Sequence, residues 1–326
     1  MSRYDEEAKY DRPKRHTRPR TKDRPKYADA VTGFVITRDR GRYTCWVGEE
    51  ERAVTAMKAR QLGRKGVIVG DLVKLDGDAS GDEGTLARIV EVEPRRTLLR
   101  RSADDDDPVE RPLVANADQL VIVTAVANPE PRPRLIDRCL VAAYDAGMRP
   151  LLCLTKTDLA DPEPLLKIYR PLGVESVATQ RDGNLDDLIE QLKDRTSVLV
   201  GHSGVGKSTL VNALVPGADR AIGVVNYVTG RGRHTSTSAL VLRLPFGGWI
   251  VDTPGIRSFG LAHVQPDQLI NAFGDLAAET KDCPRGCTHS ENEPSCGLDA
   301  AVKAGRVDAE RVASFRRLLA SREGRD

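Results

Sequence analysis

Ser197-Val-Leu-Val-Gly-His-Ser-Gly-Val-Gly-Lys-Ser-Thr-Leu-Val-Asn-Ala-Leu214 is the stretch whose reading decides the fold. Gly201, Gly206, Lys207 and Ser208 fit G-x-x-x-x-G-K-[ST] without a mismatch. Val198, Leu199 and Val200 read as a short buried strand, and Leu210, Val211, Leu214 and Val215 recur at helical spacing. A loop between such a strand and helix, here Gly201, His202, Ser203, Gly204, Val205 and Gly206 running into Lys207, Ser208 and Thr209, aims backbone N–H groups at one point. The positive end of the helix favours an anion there. Lys207 reaches the outer phosphates and the Ser208 hydroxyl ligates Mg²⁺. The bland alternative is a glycine turn closing an ordinary strand–helix unit. The context predicts a nucleoside triphosphate site.

Working outward, the 326 residues suffice for two or three domains, and 40% apolar content supports real cores although aromatics make up only 4%. The net charge of +2 conceals a concentration of basic residues. Residues 1–27 carry ten Lys and Arg against five acids, a local +5 with little apolar surface to fold around. Residues 1–28 therefore read as a basic, disordered tail suited to a polyanion, or simply as a solubilising arm. No secretory h-region follows the N-terminus, and no apolar run approaches the ~20 residues of a membrane-spanning helix. Cys45, Cys139 and Cys153 stand singly in apolar segments as reduced thiols, which predicts a cytoplasmic protein without a disulfide framework.

Residues 29–100 contain short strand-like runs at Ala30–Ile36, Tyr43–Val47, Val69–Leu75 and Leu86–Val92, separated by Gly/Asp turns. About five strands of this length predict a small barrel, OB-type in the first instance and SH3-like in the second. Arg38, Arg40 and Arg42 on one turn, with Lys58, Arg60, Arg64 and Lys65 on another, suit a nucleic-acid backbone, or equally solvent. An acidic, Pro-ended connector falls within 101–112. Beyond it, over 113–262, strands and helices alternate: Gln119–Ala127, Leu135–Ala146, Pro150–Leu154, 163–170, Glu175–Ala178 and Leu185–Leu192 precede the phosphate-loop strand. This α/β rhythm predicts a parallel, doubly wound sheet with ligands at its carboxyl ends.

Three further elements surround the phosphate loop in the sequence. Strand Trp249–Val251 runs into Asp252-Thr-Pro-Gly255, where Asp252 suits Mg²⁺ or its water and the Gly255 N–H suits a γ-phosphate. The polar segment Thr229–Ser238 offers Thr235, Ser236 and Thr237 as switch hydroxyls, with Thr235 assigned to the metal. Upstream, Thr155-Lys156-Thr157-Asp158 ends an apolar strand and looks like the guanine-specificity motif N-K-x-D, with Thr in the first place. Asp158 accepts from guanine N1–H and N2–H₂, the Lys156 stem lies along the base, and Ala178 at the next strand end offers a backbone N–H to the guanine carbonyl. An ordinary GTPase carries the phosphate loop first and the guanine motif last; here the guanine motif comes first, so the domain is circularly permuted.

Near the C-terminus, Cys283, Cys287, His289 and Cys296 place three thiols and an imidazole within fourteen positions. The set suits one closed, structural Zn²⁺ site within a mainly helical domain at 263–326, whose residues 299–320 read as one or two helices with a basic face.

Barrel, permuted GTPase and Cys/His cluster together resemble the ribosome small-subunit-dependent GTPase A family (RsgA/YjeQ type) over roughly residues 30–320. Gly201–Thr209, Gly232-Arg-His-Thr235, Asp252–Gly255 and the Cys/His cluster carry the resemblance. It implies an OB-fold, a permuted G-domain and a zinc domain. It also implies a monomer that binds GTP and GDP, docks on the 30S subunit and its 16S rRNA late in assembly, and hydrolyses GTP when the subunit stimulates it. Three departures stand out: the T-K-T-D motif, a gap of three residues between the first two cysteines where four is usual, and a His289–Cys296 spacing one longer. The residue after D-T-P-G, where Ras-like enzymes carry a water-orienting Gln, is Ile256, so His234 or the ribosomal partner is expected to supply that function. Two other classes are an RNA-binding module holding the nucleotide as a structural ligand, and a kinase-like enzyme preferring ATP.

Overall fold

The computed structural model describes residues 27, 29–39, 41–48, 52–63, 66–101, 111–217, 239–253, 259, 261, 264–291 and 293–322. The basic tail 1–26 and the segment Thr229–Ser238, with His234 and Thr235, lie outside the described residues, as do Gly255 and Ile256.

Alternating polarity builds the first unit. Strands β1 (Val31–Asp39), β2 (Arg42–Val47), β3 (Arg52–Lys58), β4 (Leu72–Asp76) and β5 (Ala87–Val92) close into a barrel of order β1-β2-β3-β5-β4. Its β3 and β5 run parallel and the other neighbours antiparallel, the Greek-key arrangement of an OB-type barrel rather than an SH3-like one. Val35, Cys45, Val54, Val73 and Ile89 fill it. Four of the five strands are legible in the sequence; β3 is not singled out there, because its inward positions are only Val54 and the small Ala56. The run from Val69 starts its strand later than the sequence suggests. Gly70 takes φ +88°, and a Cβ there would meet the Ala115 carbonyl at 2.0 Å.

Between the barrel and the next unit, β6 (Leu98–Arg101) pairs with β7 (Arg111–Ala115). The second unit is a six-stranded sheet of β8 (Gln119–Ala125), β9 (Arg149–Thr155), β10 (Glu175–Ala178), β11 (Thr196–Val200), β12 (Leu240–Arg243) and β13 (Trp249–Asp252), ordered β10-β9-β8-β11-β13-β12. Among the described residues, five strands are parallel and β12 alone is antiparallel, at the edge. Period-two alternation gives every central strand two buried faces. Val198 and Val200 join the core beneath α1 (Pro133–Asp145) and α2 (Glu163–Tyr169), while Leu199 joins the core beneath α3 (Asp186–Leu192) and α4 (Lys207–Leu214). The chain winds from β8 to β9 and β10, then returns to β11 on the other side of β8. The reversal opens a crevice at the carboxyl ends of β8 and β11, and the phosphate loop follows β11 into it.

The third unit is helical: α5 (Pro266–Asn271), α6 (Gly274–Ala278), α7 (Gly297–Lys303) and α8 (Ala309–Arg322). Its expected basic face is largely turned to internal use. Arg316 grips Asp299 at 2.8 and 2.9 Å, Arg311 grips Asp275 at 2.5 and 2.8 Å, and Arg317 reaches the buried Asp137 of α1 at 3.1 Å. No helix among the described residues is long and apolar enough to cross a membrane.

Candidate functional site

Backbone geometry makes the phosphate loop a glycine site. Gly201 adopts φ +154°, and a Cβ on it would lie 2.2 Å from the Val123 carbonyl of the neighbouring strand. Gly204 and Gly206 take φ +81° and +99°, with Gly206 at the N-cap of α4. The Lys207 ammonium folds back to donate to the Gly201 carbonyl at 2.5 Å and the His202 carbonyl at 3.2 Å. Burial holds the Lys207 pKa below its ordinary value, with the Asp252 carboxylate acting in the opposite sense. Asp252 ends β13 opposite Leu199 of β11, which brings it beside the loop. Burial raises its pKa, while Lys207 and the Thr253 backbone amide lower it. Thr253 is itself fixed by its hydroxyl, which donates to the Leu199 carbonyl at 2.8 Å.

The T-K-T-D segment sits at the end of β9, across the crevice. Its hydrogen bonds reach three neighbouring segments. The Thr155 hydroxyl donates to the Val205 carbonyl of the phosphate loop at 2.6 Å, and the Lys156 ammonium donates to the Asn128 carbonyl. The Thr157 N–H and hydroxyl both meet the Thr179 carbonyl at 3.2 Å. Thr155 and Val205 are buried, and Lys156 has φ +58°.

A cavity of about 730 Å³ joins the two motifs. Thr155, Lys156 and Asp158 line one end, and Ser203, Gly204, Gly206, Lys207, Ser208 and Thr209 line the other. Ala178 is not among its lining residues, and neither is Asp252. The segment just beyond Ala178 is, from Thr179 to Gly183, together with Leu159, Leu185, Leu210 and Ala213. Sequence reasoning missed that loop; the signal available was the polar run Thr179-Gln-Arg-Asp-Gly183 directly following β10. A cavity of this size with one end rich in backbone amides and a lysine, and the other holding a carboxylate, suits a charged tail attached to a base with N–H donors.

A second constellation lies in the helical unit. Nδ1 of His289 is 3.7, 3.4 and 3.8 Å from the sulfurs of Cys283, Cys287 and Cys296, and all four donor atoms fall within 4.8 Å of one another. A tetrahedral ion with bonds of ~2.0–2.3 Å separates its ligand atoms by roughly 3.5–3.8 Å, so the donor set fits a metal of that geometry. The altered spacings leave the donors convergent: Gly297 packs close enough for its N–H to donate to the Cys283 sulfur at 3.1 Å. Burial lowers the His289 pKa, which favours the neutral imidazole a metal needs. Arg316 donates to the His289 carbonyl at 3.1 Å, tying the cluster to α8.

Comparison with known proteins agrees with this architecture. The sequence profile of the family described as RsgA GTPase matches residues 92–262. The chain belongs to the RsgA GTPase family. It is thus a GTPase, a hydrolase acting on GTP. The small ribosomal subunit biogenesis GTPase RsgA of Ectopseudomonas mendocina (strain ymp) is 44% identical over 265 residues, covering 78% of this chain and 75% of its own. The protein of the same name from Pseudomonas aeruginosa (strain LESB58) is 43% identical over 251 residues, covering 74% and 73%. Among solved structures, YjeQ from Thermotoga maritima aligns with a TM-score of 0.68 at 28% identity, over 91% of this chain and all of its own. YloQ, a circularly permuted GTPase, shares the fold with a TM-score of 0.67 at 24% identity, over 93% and 99%.

Proposed function

We propose that this GTPase acts in biogenesis of the small ribosomal subunit, binding GTP in the crevice beside β11 and hydrolysing it when docked on the subunit. The observation that carries the reading is the 730 Å³ cavity shared by Asp158 and the phosphate loop. Asp158 reads the guanine edge, Lys156 lies along the base, and the amides from Gly201 to Thr209 with Lys207 hold the phosphates. Ser208 and Asp252, with Thr235 from outside the described residues, would hold a magnesium ion, which supplies positive charge to the phosphate oxygens when bound. Gly255 would add its N–H to the γ-phosphate. The cluster of Cys283, Cys287, His289 and Cys296 would hold one structural zinc ion.

Positioning and electrostatics supply the catalysis, with water attacking the γ-phosphate in line. Ile256 has no group to orient that water, so the free enzyme is slow and His234, or the docked subunit, completes the site. The names of the relatives supply the partner class. The exposed Arg38, Arg42 and Arg60 of the barrel support contact with 16S rRNA. The protein acts as a cytoplasmic monomer exchanging GTP and GDP.

Phosphate release from GTP and from ATP, each with and without purified small subunits, tests this. GTP-selective release rising steeply with subunits is expected. Indifference to subunits would remove the ribosomal assignment and favour a module that holds nucleotide as a structural ligand. Equal use of ATP would remove Asp158 as a guanine reader.

A further inference from the structure

We propose that Phe34 of the barrel is a positioning residue for GTP hydrolysis, and that its ring against Trp249 is the contact through which a subunit docked on the barrel raises turnover. The inference rests on the function proposed above and concerns how a partner held by one unit acts on chemistry in the next.

The barrel meets the GTPase unit at two places of different kind. At the first, hydrogen bonds hold. The Ala115 N–H donates to the Val69 carbonyl at 2.9 Å, and the buried Asn116 side-chain amide donates to the Gly70 carbonyl at 2.9 Å. Directional bonds of fixed length do not slide. At the second, rings meet. Phe34 and Trp249 have centroids 5.4 Å apart at 45°, and the Arg243 guanidinium lies 5.7 Å from the Trp249 centroid. Both rings are partly buried against the core of the GTPase unit. Aromatic and cation–π contacts accept a range of offsets. The first place is therefore a pivot, and the second is where a turned barrel displaces its neighbour.

What the rings are attached to decides the consequence. Phe34 lies on β1, paired with Trp46 of β2 and Leu72 of β4. Farther along the same strand stands Arg38, near the turn that leads to Arg42, and both arginines are exposed. On the other side, Trp249 opens β13 and Asp252 closes it, about 10 Å farther on. Arg243 and Leu240 of β12 pair with these two residues across the hairpin. Among the described residues β12 has β13 as its only sheet partner, and β1 of the barrel is in contact with it. One line of contacts thus runs from the basic turn along β1, through Phe34 and Trp249, and along β13 to the carboxylate proposed for magnesium. Phosphoryl transfer depends on placement to within a few tenths of an ångström, so a small shift of Asp252 changes the rate.

The test uses the whole protein and follows GTP turnover against rising concentrations of purified small subunits, for wild type, Phe34→Leu and Phe34→Ala. Thermal unfolding confirms that each variant is folded, and co-sedimentation gives its affinity for the subunit. Phe34→Ala should keep the subunit-free rate and the affinity within about twofold, yet lose about fivefold or more of the rate at saturating subunit, with Phe34→Leu between it and wild type. If Phe34→Ala does not fold, Phe34→Leu decides alone. An unchanged saturated rate overturns the proposal, and so does a deficit that disappears when more subunit is added. A fall of the subunit-free rate by the same factor as the saturated rate also overturns it, because Phe34 would then serve the fold alone. A wild-type protein that subunits do not stimulate would instead overturn the function proposed above.

Discussion

The ammonium of Lys207 lies 2.5 Å from the carbonyl oxygen of Gly201, so the first glycine of the phosphate loop and its lysine are in direct contact across the turn. That closure requires a backbone only glycine accommodates. At Gly201 a side chain would run into the Val123 carbonyl at 2.2 Å, whereas at Gly204 the nearest atom to an added Cβ is a Pro129 side-chain carbon at 3.8 Å. Gly201→Ala should therefore destabilise the protein by at least about 2 kcal/mol, and Gly204→Ala by about 1 kcal/mol from its positive φ alone. Chemical denaturation of the two variants checks the order. Equal stabilities would show that the β8–β11 crevice is looser than described.

The half-buried Asp252 carries a pH prediction. Its pKa is raised above the ordinary 3.8, chiefly by burial, with Lys207 opposing. A raised pKa means that the carboxyl takes up its proton at a higher pH than an ordinary aspartate, and a protonated carboxyl cannot ligate a cation. Magnesium-dependent GTP affinity should thus begin to fall, as the solution is acidified, before an exposed aspartate would titrate. Asp252→Asn should be weak at every pH and lack that acid limb. Equilibrium binding measured across the acid range at fixed magnesium reads both.

Much of this site is legible in the sequence because its chemistry is local. A strand, a glycine turn and a helix start lie within eighteen residues, and Cys283 to Cys296 within fourteen. What stays hidden depends on distant partners. The lining by Thr179 to Gly183 arises because β10 pairs with β9 and sets its exit loop against the T-K-T-D segment. Arg311, Arg316 and Arg317 read as a basic face, yet their partners Asp275, Asp299 and Asp137 stand 36, 17 and 180 positions away. The barrel strand Arg52–Lys58 escapes notice because its inward positions are only Val54 and the small Ala56, too little apolar bulk to mark a strand.

The Cys/His cluster predicts a metal-dependent fold for the C-terminal unit. Native mass spectrometry should find one zinc ion per chain, and a strong chelator should lower the melting temperature by roughly 5 °C or more. Cys296→Ser should reproduce that loss, while Cys153→Ser, in the central sheet, should leave the zinc content unchanged. A zinc-free protein whose stability ignores the chelator would show that the converging donors serve no metal.

The most direct test of the shared cavity is a change of base preference at Asp158. In the proposed site its carboxylate would accept from the ring N–H and exocyclic amine of guanine. An amide in its place can donate to the C2 carbonyl of xanthine instead. Affinities of GTP and XTP for wild-type protein and Asp158→Asn therefore decide whether the T-K-T-D end of the cavity reads the base. Asp158→Asn should lose GTP affinity by about 10²-fold and come to prefer XTP. GTP binding unchanged in that variant, with no gain for XTP, would contradict it.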